Sequence, residues 1–100
     1  TKKKTKTTKP AQICILTITG EDKVGIIAAI AETMAKANIN IVDVNQKIME
    51  QYFVMTMACD VAEANIDMGK IHTRLEKIAK NMNLNITFQN EKIFKMMHRV

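Results

Sequence analysis

The stretch Gly20-Glu21-Asp22-Lys23-Val24-Gly25 places two of the chain's three glycines within six residues, around an acidic turn. An apolar helical pattern starts right after it, so the turn feeds a helix entrance. There, unpaired backbone amides and a partial positive charge favour a carboxylate. Asp22 reads as the N-cap, its carboxylate accepting from the amides of Val24 and Gly25. The same acid suits an ammonium group. Gly25, at the third helical position, has no side chain and lets a ligand approach the backbone. An amino acid, a zwitterion with both groups, fits that pair of charges. Asn40, on the strand after the helix, is a polar group that could bond to such a ligand. A cap and a turn glycine also occur in strand-to-helix loops that bind nothing, and spacing alone leaves both readings open.

Other reactive side chains carry less. His72 falls one residue after an apolar stripe position and is expected to be exposed. His98 lies between Met97 and Arg99 near the C-terminus. Neither can be paired by spacing with an acid or a nucleophile, so no catalytic site is expected. The chain has no nucleophile elbow, phosphate-binding glycine loop or zinc-helix motif. Cys14 and Cys59 lie far apart in strand-like runs and form no metal spacing, so they read as reduced core thiols of a cytoplasmic protein. No metal and no cofactor is expected.

The elements that must position the turn follow from periodicity. Residues 12–19 are short and β-branched, a strand with Cys14, Leu16 and Ile18 on one face and Ile13 and Ile15 on the other. Spacing predicts a helix over 24–37, with Ile26, Ile27, Ile30, Ala31 and Met34 inward, Glu32 and Lys36 paired outward, and Asn38 as its stop. Residues 39–49 form a more polar strand, suited to an edge. A turn at Glu50-Gln51 leads into a strand over 52–59, whose inward face is Phe53, Met55, Met57 and Cys59. Asp67 reads as the N-cap of a helix reaching Met82, with Met68, Ile71, Leu75, Ile78, Ala79 and Met82 as its buried stripe. Residues 83–89 alternate cleanly, and Asn90 caps a short last helix with Ile93, Met96, Met97 and Val100 on one side.

The order β-α-β-β-α-β predicts an α+β, ferredoxin-like sandwich: a four-stranded antiparallel sheet with two helices on one face and a short C-terminal helix. Strands one and three look apolar on both faces, although helices cover only one. A second copy of the chain is the simplest cover, so a homodimer is expected.

Composition narrows the partners. One hundred residues suit one small domain. The net charge of +5 arises in the first ten residues, which hold five lysines and no acid; the remainder carries ten basic and ten acidic residues. Residues 1–10 are therefore expected to be a disordered Lys/Thr-rich tail, and 11–100 a neutral folded domain. A neutral body without an aromatic on the first strand does not suit nucleic acid. No apolar run reaches the length of a membrane helix, and none forms a signal peptide core.

The pattern Gly20, Asp22, Gly25, Ile26, with Ala37-Asn38-Ile39-Asn40-Ile41 entering the second strand, resembles the ACT domain over residues 12–90. The closing Ile93–Val100 run further resembles small stand-alone ACT proteins. The resemblance implies a regulatory module that dimerises and senses a small molecule, most often an amino acid, at the subunit interface. The implied ligand site comprises Asp22, Lys23, Val24, Gly25 and Ile26 at the turn, with Asn40 reaching across from a second copy. One departure is Val24, where many members have proline. The alternative function is an adaptor dimer without a ligand, contacting an unidentified protein target through the open sheet face or the last helix.

Overall fold

A computed structural model of the chain describes residues 10–21 and 24–97. Its elements run β1 (Ile13–Glu21), α1 (Ile26–Lys36), β2 (Asn40–Met49), β3 (Tyr52–Asp60), α2 (Met68–Met82), β4 (Leu84–Asn90) and α3 (Glu91–Met97). Each lies within two residues of its expected span. The Lys/Thr-rich run 1–9 lies outside the described residues, as do His98, Arg99 and Val100.

The strands form one antiparallel sheet in the order β2-β3-β1-β4. β1 is central, bonded to β3 and β4, and β2 is an edge, as its polar composition anticipates. Alternation decides the faces. Cys14, Leu16 and Ile18 of β1, Phe53, Met55, Met57 and Cys59 of β3, and Leu84 and Phe88 of β4 are buried toward the helices. They meet Ile26, Ile30 and Met34 of α1 and Ile71 and Leu75 of α2 in one continuous core. The opposite face carries no helix. There Ile13, Ile15, Val54 and Ala58 are half-buried among Thr17, Thr19 and Thr56. The threonines make this face less apolar than the strand runs suggest.

Two corrections concern α1. The helix starts at Ile26 with Gly25 as its N-cap, so Asp22 does not occupy that position. Gly25 has φ 93°, a left-handed conformation that glycine adopts without strain, and this geometry sets the start. Ile27 is 45% exposed instead of buried. The sheet-facing stripe is the narrow one of Ile26, Ile30 and Met34, and Ile27 is turned about 100° away from it.

The exit of α1 behaves as its sequence anticipates. Asn38 sits just past the C-cap Ala37 at φ 59°. The Asn38 amide donates to the Ala35 carbonyl at 3.1 Å and the Ile39 amide to the Met34 carbonyl at 2.9 Å, a Schellman closure. The loop after β3 completes this end. The Asn65 side chain donates to the Lys36 carbonyl at 3.1 Å, and the Asn38 side chain to the Glu63 carbonyl at 2.9 Å. At the last helix, Asn90 caps α3 by accepting from the Lys92 amide at 2.8 Å. Two of its described apolar side chains are open, Ile93 and Met96 at 50% and 70% exposure.

Candidate ligand site

Strand direction sorts the expected site residues to two ends of the sheet. β1 runs upward to Gly20, which is paired with Phe53 and Leu84. The turn to α1, the β2–β3 hairpin and the end of α2 therefore share the upper end. Asn40 opposes Asp60, and Asp60 opposes Ile13, so Asn40 lies at the lower end. The two ends are about 25 Å apart at the rise of an antiparallel strand. One chain thus brings Val24, Gly25 and Ile26 together and leaves Asn40 remote from them. Asp22 and Lys23 lie outside the described residues.

The two glycines of the turn do different work. A Cβ on Gly20 would stand 2.7 Å from Leu84 Cδ2 and 3.3 Å from the Asn83 carbonyl oxygen, so close strand packing demands its absence. A Cβ on Gly25 would meet only Met82 Cε, at 3.9 Å, so this position needs glycine for its backbone angle. Val24 beside it is 99% exposed. Gly25 offers the first-turn amides of α1 no side-chain acceptor, and that turn holds no acid. Among the described residues, the first-turn amides of α1 thus have no side-chain acceptor at the N-cap, at the positive end of the helix dipole.

This corner has little wall of its own. Cavities among the described residues include one of about 650 Å³ along the end of α2 near Lys77 and Asn83, and one of about 450 Å³ at the lower end beside Cys14, Met68 and Phe88. Neither is lined by Gly25 or Asn40. A small molecule at Gly25 would need a second surface to enclose it.

The structure supplies a candidate for that surface on the edge strand. β2 is exposed along nearly its whole length, yet Val42, Val44 and Ile48 are 53%, 46% and 53% exposed. Val44 and Ile48 oppose Met57 and Phe53, so they point to the helix side, beyond the cover of α1. They make exposed apolar positions on an otherwise polar edge strand. A register shift between Ile41 and Asp43 marks a bulge that breaks strict alternation. That break hid these positions from pattern reading.

Other groups are chemically quiet. His72 is exposed, as expected, and its ring lies 5.7 Å from that of Phe88 at 60°. Burial pushes the Cys14 thiol up; burial, then the charge of Cys14, push Cys59 up to about 12. Among the described residues no group of three or more His, Cys, Asp or Glu side chains could hold a metal ion. No helix among them is long and apolar enough to cross a membrane.

Comparison with known proteins agrees with the fold. Residues 12–89 match the family model for the ACT domain. A UPF0237 protein of Listeria innocua is 40% identical over 86 residues, covering 86% of this chain and 97% of its own. One from Clostridium acetobutylicum is 41% identical over the same shares. Among solved structures, an ACT domain protein from Streptococcus pneumoniae superposes with a TM-score of 0.72 at 28% identity, covering 86% of this chain and 97% of that one.

Proposed function

Since this chain belongs to the ACT domain family, we propose that it is a regulatory module whose ligand, a small metabolite and foremost an amino acid, is held between two copies of the chain. ACT domains are regulatory ligand-binding modules. The observation that carries the finer reading is that the helix entrance after β1 lies at the same end of the sheet as the β2–β3 hairpin, with Val44 and Ile48 exposed along the β2 edge. An edge strand with free backbone groups and exposed Val44 and Ile48 favours pairing with another strand.

Symmetry gives that pairing a consequence. Two β2 edges joined antiparallel about a two-fold axis at Val44 and Asn45 set Asn40 of one copy opposite Met49 of the other. Met49 is at the hairpin end, the end that holds Gly25. Pairing therefore brings together residues that one chain separates. A carboxylate then sits on the α1 entrance near Gly25, Asp22 and Asn40 meet the amine and remaining polar atoms, and Ile26 and Val24 flank them. Ligand binding favours the paired geometry, and that bias is the regulatory output. The module performs no chemistry of its own and works in the cytoplasm.

Thermal-shift measurements against the individual amino acids test the reading. A dose-dependent rise in melting temperature is expected for at least one, since only a ligand that prefers the folded state raises it. Asp22→Ala and Asn40→Ala should each weaken that ligand while leaving the ligand-free melting temperature near its original value. Equal affinity in both variants would refute this placement. A dimer that answers to no metabolite would favour an adaptor role, with the exposed Ile93 and Met96 of α3 as its contact.

A further inference from the structure

The geometry of the lower end points to a covalent modification site: we infer that Cys14 and Cys59 form a reversible dithiol–disulfide pair, in which a small disulfide reagent reaches Cys14 first and Cys59 then displaces it. The inference is independent of the ligand reading above.

The two cysteines stand directly opposite each other in the β1–β3 register. Both point to the helix side and are buried with free thiols. Directly opposed residues of an antiparallel pair have Cα atoms about 4.5–5.5 Å apart. A disulfide bridges roughly 4.4–6.8 Å, so no strand need move to close the bond. Sequence spacing concealed this pair, because their proximity exists only through strand pairing.

Access separates their roles. Cys14 lines the cavity of about 450 Å³ with Met68, His72, Phe88 and Ile93, which admits a small apolar reagent. Cys59 is 0% exposed and does not line that cavity. His72 is the one other titratable group in the lining. Asp60 alternates to the opposite face of β3, where its carboxylate accepts from the Gln12 amide at 3.0 Å and the Ala62 amide at 3.1 Å. Burial holds both thiols in the protonated form, and the thiolate is the nucleophile, so exchange is slow. The product carries no such penalty, since a disulfide is uncharged and apolar. A Cys14 sulfur held in a mixed disulfide cannot ionise, so the repulsion that a Cys14 thiolate would add against ionisation of Cys59 is absent at the second step.

The chemistry balances with a small dialkyl disulfide as oxidant. The Cys14 Sγ thiolate attacks one sulfur of the reagent, forming a mixed disulfide and releasing one alkyl thiolate. Cys59 Sγ passes its proton to the alkyl thiolate released in the first exchange and attacks the Cys14 sulfur. The Cys14–Cys59 bond forms and the second alkyl thiolate leaves. The cysteines lose two electrons and two protons, and the reagent departs as two thiols.

The experiment incubates the folded chain with hydroxyethyl disulfide and follows intact mass, then maps peptides after alkylation. The wild-type monomer should lose the mass of two hydrogens, with the Cys14 and Cys59 peptides linked and the link reversed by dithiothreitol. Cys59→Ala should stop at a stable hydroxyethyl adduct on Cys14. Cys14→Ala should resist the reagent until urea exposes Cys59. The inference fails if the wild type stops at the mixed disulfide, links two chains instead, or reacts first at Cys59. It fails equally if the folded wild type stays unreacted while the unfolded chain exchanges.

Discussion

The two long helices begin in opposite ways. α2 is closed by its own chain: Asp67 Oδ1 accepts from the Gly69 amide at 2.9 Å and from the Lys70 amide at 3.4 Å. α1 begins at a left-handed Gly25 with no side chain to do this. The contrast extends to the surroundings. The α2 entrance follows a loop bonded to the end of α1, through the Asn65 amide to the Ala37 carbonyl at 2.9 Å. The α1 entrance borders the 99% exposed Val24. A capped start is a stability device, and a start without a side-chain cap at its N-cap residue leaves its first amides to other partners. Position in the fold, more than helix propensity, separates them.

Substitutions at the two starts probe this difference. The largest effect is expected at Gly25, where alanine must adopt φ near 93° at a cost of about 1–2 kcal/mol. Thermal denaturation of Gly25→Ala should show a melting temperature lower by roughly 4–8 °C per kcal/mol. Gly25→Asn should lose less, because asparagine tolerates the left-handed region; equal losses would remove backbone angle as the reason for glycine.

Asp67→Ala comes next. It removes the only side-chain acceptor at the α2 entrance and should cost about 1 kcal/mol in urea denaturation. Asp67→Ser should restore most of that. If alanine at Asp67 has no effect, closure of α2 is not a stability device and the contrast with α1 disappears. The smallest effect belongs to Glu32→Ala on the outer face of α1. Its ion pair with Lys36 at 3.3 Å is largely solvent-exposed, and such pairs contribute about 0.3–0.5 kcal/mol. That loss should shrink further at high salt; a larger, salt-independent loss would mean that Glu32 supports the helix in another way.

Much of the architecture was legible in local patterns. The alternation of Leu84, Ile86 and Phe88 marked β4, and Asp67 and Asn90 marked two helix starts through side chains that can bond only locally. Asn38 marked a helix exit because few other residues enter the left-handed region at little cost. The candidate site was only half legible. The glycine spacing identified the turn, but a cap at Asp22 was one of two ways to start the helix, and the backbone angle at Gly25 decided for the other. Ile27 seemed buried because a helical stripe does not show its own width. How far around α1 the sheet reaches is fixed by the strands beneath it.

The sequence alone determined the order of elements, the inward faces of β1, β3 and β4, and the caps of α2 and α3, since each depends on residues a few positions apart. Only the tertiary structure decided which distant residues meet. It separated Asn40 from Gly25, left the apolar side of β2 uncovered, and set Cys14 across from Cys59. The reason is that strand order and register join segments tens of residues apart, and no local periodicity encodes that choice.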